Sequence, residues 1–498
     1  MLKLDTANAE KGQFLLAGKA GPVIILADLL GECAFRRTLM RVRFCRDFVS
    51  VYIQAILAIL LFCVVVVLSS PAQVFTTLVN FDSAHGAGPD AGLAQGRNGN
   101  LYGTASSGGT NGNGVVFEMT AEGKLTVLHD FDRTDGDYPQ APLLLSTDGS
   151  FYGTTYDGGS GYESYGTIFK ISGGGKFKSL FSFDSDTGNY PTAGLIQGVG
   201  EDYYGTTYGG FGTVFTMNAK GRVETLYGLG DEFVDPFAGL VMGNDGNFYG
   251  TGYVAGANAD GEVFQIAPSG AFTVLHSFDQ SDGRWPTATL VIGTDGSFYG
   301  TTSSGGAYNL GTFYKIDSTG TFAMIHSFAS ADGEYPQGSL VLGSNGNFYG
   351  TTVSGGANMD GTVFEITPSG MLTVLHNFNG TDGASTTAGL LQHTDGTFYG
   401  ATYKGGTEGY GTVFSLDIGL PPFVSFLPVP GFAGETVGIF GQGLKKTTSV
   451  AFNGTPAQFK VVSNSYLKAV VPQDATTGLV TVTMPSETLS SILPFQVW

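Results

Sequence analysis

At 498 residues, with charged residues at 13%, an apolar fraction of 42% and 78 glycines, the composition excludes a disordered chain and argues for β-structure with many tight turns. Beyond residue 72, 15 basic residues face 37 acidic ones, a net charge of −22. Such a surface repels phosphate backbones, which excludes nucleic acid as a partner and leaves cations, polyhydroxyl sugars or basic proteins.

Residues 1–72 read as an N-terminal extension with an export signal. Arg36, Arg37, Arg41, Arg43 and Arg46 precede the apolar run Val51 to Leu68, and small residues stand at Ser70 and Ala72. This order predicts a secretory signal cut after Ala72. The run has eighteen residues, enough to span a bilayer, so an uncleaved anchor with the body outside is the alternative. Either way the body is expected to be exported, secreted or held at the cell surface, with a membrane contact only through this segment. Met40 begins a better signal than Met1. Cys33, Cys45 and Cys63 all precede residue 73, so the body has no disulfide framework, zinc cage or thiol nucleophile.

Residues 73–418 are a repeat. Tyr-Gly recurs with its tyrosine at 102, 152, 204, 249, 299, 349 and 399, at intervals of 50, 52, 45, 50, 50 and 50. Periods near this length belong to propeller blades. One copy predicts four strands: a at Gly338 to Gly343, b at Asn347 to Thr352, c at Gly361 to Thr367 and d at Met371 to Phe378. Asn-Gly and Asp-Gly turns supply the positive φ angles of tight hairpins. The array begins with a lone d-type strand, Phe75 to Phe81, and ends after a c-type strand, Gly411 to Asp417. In a linear array both would be raw sheet edges. In a ring they complete each other, which predicts an all-β, seven-bladed propeller closed by its N-terminal strand.

The words FYGTT, SGG, GTVF, LTVLHSF and DG-x-x-P, over residues 74 to 417, resemble the tandem GloVer-repeat proteins, also described as choice-of-anchor proteins. The resemblance implies export and surface association and brings no established activity. Pro421-Pro422 marks the boundary of residues 419–498, which alternate Val, Ile and Phe between Gly and Pro turns and predict a small β-sandwich. The phrases FLPVPGFAGETVGIFGQGL and VAFNGTPAQF resemble an IPT/TIG immunoglobulin-like domain, which implies a spacer or a binding module.

Successive loops of a meander alternate between ends, so the long bc loops and the da loops that join one repeat to the next share a face. The da loops place Asp135, Asp186, Asp282 and Asp332 with Tyr138, Tyr190, Trp285 and Tyr335 around that mouth. Aromatic faces beside carboxylates suit sugar rings, and calcium is a second occupant such acids could take; no other cofactor is expected. The structural alternative is that Asp in these turns caps the backbone and Tyr-Pro packs the loop between blades. Breaks in the symmetry fall at the third bc loop, the third da loop Gly230 to Phe237, the sixth da loop and an enlarged second bc loop. Asp157, Glu163, Asp231, Glu232 and Asp235 are the carboxylates there that could serve acid–base work. His129, His276, His326 and His376 repeat at one position of strand d and are expected at blade contacts, not in a metal site. The glycine after each tyrosine is expected to permit close backbone approach.

The leading expectation is a non-enzymatic exported propeller that binds carbohydrate or another surface component, such as a surface protein, through its bc/da face. A secreted polysaccharide lyase or hydrolase and a structural envelope or matrix protein are the alternatives.

Overall fold

The computed structural model describes residues 13–18, 21–26, 73–161, 164–209, 212–229, 236–427 and 430–498. The chain divides into two compact units, Met1–Ser70 and Pro71–Trp498. In the first, Gln13–Gly18 pairs antiparallel with Gly21–Leu26. The apolar run Val51 to Leu68 and its cleavage site lie outside the described residues.

In the second unit the described residues of the repeat form seven four-stranded antiparallel sheets, numbered here one to seven along the chain. Sheet six is typical, with Val341–Leu342, Phe348–Thr351, Thr362–Ile366 and Leu372–Asn377 side by side in chain order. Its c strand buries Thr362, Val363, Phe364 and Ile366 while Glu365 stays partly exposed, so apolar residues reach both neighbours of the sheet.

Strand a is shorter than its pattern predicts, two residues instead of six. The reason lies just ahead of it, where neighbouring sheets approach backbone to backbone. A Cβ on Gly338 would stand 2.5 Å from the carbonyl oxygen of Ala388, and one on Gly389 would stand 2.9 Å from that of Ser339. Close backbone approach therefore falls on these glycines and not on the one after each tyrosine. Gly350 instead leaves room for side chains of its own sheet, since its Cβ would meet Phe364 Cζ at 2.6 Å and Leu340 Cδ2 at 2.8 Å.

The seventh sheet takes its outer strand from the start of the body. Val74–Asn80 pairs antiparallel with Thr412–Asp417, placing Phe75 opposite Leu416 and Thr76 opposite Ser415. A one-residue register shift interrupts this pairing between Thr77 and Val79, and the same shift recurs in the c–d pairing of each of the other six sheets. The N-terminal strand thus carries the bulge as well as the sequence of a d strand.

Adjacent sheets share cores through the repeated tyrosine. Tyr102 stacks on Phe151, Tyr152 on Tyr203 and Tyr249 on Phe298, with centroids 4.0–4.4 Å apart. Tyr399 of sheet seven shares a core with Leu101, Val115 and Phe117 of sheet one. Gln95 and Thr394 join the same two sheets by reciprocal hydrogen bonds of 2.9 and 3.1 Å.

The C-terminal residues form two further four-stranded sheets around Val437, Ile439, Phe452, Leu467, Val482 and Phe495. This sandwich sits on the ab turns: Ser465 Oγ donates to the Arg97 carbonyl at 2.9 Å, and Gln496 Nε2 donates to Asn244 Oδ1 at 3.1 Å. Phe440 and Tyr466 join the core of Tyr102 and Phe151. The C-terminal sheets thereby occupy the ab end.

Candidate functional site

The four aromatic residues of the da loops share an unusual backbone. Tyr138, Tyr190, Trp285 and Tyr335 have φ of 55°, 58°, 58° and 59°, a left-handed conformation that costs a bulky side chain about 1 kcal/mol or more. Hydrogen bonds impose it. The Tyr335 N–H donates to the Leu310 carbonyl of the preceding bc loop (3.0 Å), and its carbonyl accepts from the Val353 N–H of the next (3.2 Å). Trp285 does the same with Asp260 and Ser303. Gly88 holds the equivalent place with φ 60°, so glycine meets every backbone demand at this position.

The four side chains lie in different surroundings. Tyr138 and Tyr335 are 48% and 38% exposed. Trp285 has the Arg284 guanidinium 4.0 Å from its ring centroid, a cation–π contact that covers one face. Tyr190 stacks on Tyr156 at 4.8 Å and meets Tyr165 edge-on at 5.4 Å.

The aspartates of these loops turn to histidine. Asp135, Asp282 and Asp332 stand 2.9, 2.9 and 3.3 Å from Nε2 of His129, His276 and His326, each six residues earlier. Each also accepts the backbone N–H at the loop's start, from Asp132, Asp279 and Ala329. His376 makes the same contact with Asp382 at 3.0 Å, in the loop that lacks an aromatic-proline pair. The imidazoles pack at sheet contacts as expected: His129 lies on Phe177 and His276 on Phe322 of the next sheet, centroids 3.6 and 3.7 Å apart.

Where strand d carries Phe181 in place of histidine, Thr187 replaces the aspartate and accepts the Asp184 N–H. Asp186 is one position out of step with the other three, and its N–H donates to Asp184 Oδ1. The structure therefore brings the four aromatics to one end of the molecule and engages three of the four aspartates beneath them. Among the described residues no three His, Cys, Asp or Glu side chains are grouped to hold a metal ion.

Of the carboxylates at the symmetry breaks, Glu163, Asp231, Glu232 and Asp235 lie outside the described residues, as does Tyr162. Asp157 pairs its backbone with Asp137 and accepts the Gly158 N–H. Burial first, and the Asp157 charge second, push the Asp137 carboxyl above the usual range.

A cavity of about 330 Å³ is lined by the segments that lead into strand a of all seven sheets. The side chain that follows the loop proline recurs around it as Gln140, Thr192, Thr287 and Gln337, with Thr387 after Thr386. Asp90 and Phe237 break the series. Asp90 accepts a hydrogen bond from Thr387 Oγ1, 297 residues away in the loop that leads into the seventh sheet. Burial raises its carboxyl above the ordinary value of 3.8, with the Thr387 bond acting the other way.

The Gloeobacter/Verrucomicrobia repeat profile matches residues 63–232 and 212–414, and the IPT/TIG profile matches 421–497. The chain belongs to the Gloeobacter/Verrucomicrobia repeat family. Among curated proteins none matches it. This Gloeobacter/Verrucomicrobia repeat protein is similar in structure to a copper-bound fungal alcohol oxidase of the AA5 family, at 11% identity over 86% of this chain and 99% of that one, TM-score 0.46. It is also similar to a Xanthomonas campestris gluconolactonase (11%, 69% and 89%, TM-score 0.38) and to a Bacteroides thetaiotaomicron protein of unknown function (14%, 69% and 76%, TM-score 0.39). Likeness at this level assigns no chemistry to the repeat protein.

Two features of the site escaped the sequence reading. The His–Asp spacing of six residues, present four times, was a readable signal for Asp382. The residue after each loop proline was the signal for the cavity, since Asp90 is the one acid in that column.

Proposed function

We propose that the seven sheets are the blades of a closed propeller and that the exported protein, acting without catalysis, binds carbohydrate or another cell-surface component through its bc/da end. The strand exchange at sheet seven, the shared core of sheets one and seven and the cavity lined by the segments leading into every sheet support the ring. The IPT/TIG module on the ab turns leaves the opposite end for a ligand.

One observation carries the binding reading. Four aromatic side chains are kept at a left-handed backbone position that glycine fills equally well in the first loop, and two of them are well exposed. Strain retained in this way is a feature of ligand-contacting residues, and a tyrosine or tryptophan face is what the C–H face of a sugar ring stacks upon.

A glycan array probed with the wild type and with Trp285→Ala and Tyr335→Ala variants tests this. Binding of a glycan family that falls in both variants supports it; a wild type that binds no sugar contradicts it.

A hydrolase or lyase is the second reading, favoured by the Asp137 carboxyl, which burial first and the Asp157 charge second push above the usual range, the direction a general acid requires. Polysaccharide turnover abolished by Asp137→Asn would establish it.

A further inference from the structure

We infer that the axial cavity is a seat for a single neutral hexose unit, gripped by Asp90 with the surrounding glutamines and threonines and stacked against Phe237. This rests on the carbohydrate reading and narrows it from the rim to the centre of the same face.

The argument begins from what lines the cavity. At about 330 Å³ it falls within the range of small-molecule sites. Its wall offers hydrogen-bonding groups of each kind: carboxamides on Gln140 and Gln337 that donate and accept, hydroxyls on Thr192 and Thr287, and one carboxylate.

The two residues that break the sevenfold pattern are of the types a sugar ring needs. Asp90 supplies acceptor oxygens for adjacent hydroxyls, and Phe237 supplies an apolar face. Tyr208 and Tyr253 pack against Phe237, with centroids at 4.6 and 5.2 Å, and hold its ring in place. A fold requirement would recur in every blade; these two side chains do not.

Other occupants fit less well. Calcium takes six to eight oxygen ligands, usually with several carboxylates, and among the described residues the cavity has one, whose carboxyl is raised by burial and not lowered by a charge partner. An anion would face Asp90 in a body of net charge −22. A wholly apolar ligand would leave the polar wall unpaired.

Calorimetric titration of the full chain with D-glucose, D-galactose and D-mannose, and separately with calcium chloride, tests the inference alongside the glycan array. At least one hexose is expected to bind the wild type, and Asp90→Asn and Phe237→Ala should each weaken it by about tenfold or more, with the thermal midpoint of Asp90→Asn at or above that of the wild type. Gln337→Ala serves as a third variant should Phe237→Ala unfold. Hexose binding untouched by these variants overturns the axial seat. A positive array with no hexose binding also overturns it while leaving the rim reading standing, whereas a blank array with no hexose binding removes both. Calcium binding that Asp90→Asn abolishes, without sugar binding, would make the cavity a cation site and overturn the inference.

Discussion

The imidazole of His376 lies flat on the ring of Phe75, with centroids 3.6 Å apart and planes 4° from parallel. The two residues are 301 positions apart, and Phe75 belongs to the strand that opens the body. The contact repeats in kind what His129 makes with Phe177 and His276 with Phe322, so the N-terminal strand is received by sheet six as an ordinary neighbour would be.

This junction makes stability depend on pH. Burial, the dominant cause, lowers the His376 pKa from its ordinary 6.5 against the opposing pull of Asp382. A histidine depressed in the folded state contributes stability that is present above the unfolded value and is lost as pH falls through the folded one. The wild type is therefore expected to weaken as pH drops below 6.5. The chain itself supplies a control, the Phe181 and Thr187 combination of the second loop. A His376→Phe/Asp382→Thr variant should fold and show a shallower acid loss in urea unfolding from neutral to mildly acidic pH. An unchanged acid slope would remove His376 as its source.

The aromatic rim should show a trade between stability and binding. Tyr335 pays for a φ of 59°, and asparagine tolerates that region better. Tyr335→Asn is expected to leave unfolding free energy unchanged or raise it by up to about 1 kcal/mol, while reducing glycan binding. A loss of more than about 1 kcal/mol would mean that the ring packs the loop and is kept for that reason.

Glycine after tyrosine is needed for a side chain and not for a neighbouring backbone. Gly350 faces Phe364 across the ladder, and the phenyl ring occupies the space a Cβ would take. Gly350→Ala should destabilise by about 1–3 kcal/mol through overpacking, and adding Phe364→Leu should recover part of it. By contrast Gly346 has no atom within 4 Å of such a Cβ but a φ of +82°, so Gly346→Ala carries the cost of strain alone. Equilibrium denaturation of the three variants separates the two causes.

Periodicity made the architecture readable. Seven copies with a spare d strand at one end and a missing one at the other already implied the pairing of Val74–Asn80 with Thr412–Asp417, because an edge needs a partner. The site was less legible. Loop words such as DGEYP place Asp332 and Tyr335 together on paper, yet the left-handed turn sends them to different tasks, the acid to His326 and the ring toward solvent. Spacing along a chain does not report φ, and only φ separates these directions. Asp90 was hidden for another reason: its partner Thr387 stands 297 residues away and meets it only in the folded chain.

Annular closure is tested most directly by a cross-link at the seam. In a chain whose Cys33, Cys45 and Cys63 are replaced by serine, Thr76→Cys with Ser415→Cys places two thiols at residues that face each other across the ladder. The account predicts one intrachain disulfide in monomeric protein under mild oxidation, with no thiol left free. Two reactive thiols, or disulfides only between chains, would contradict it.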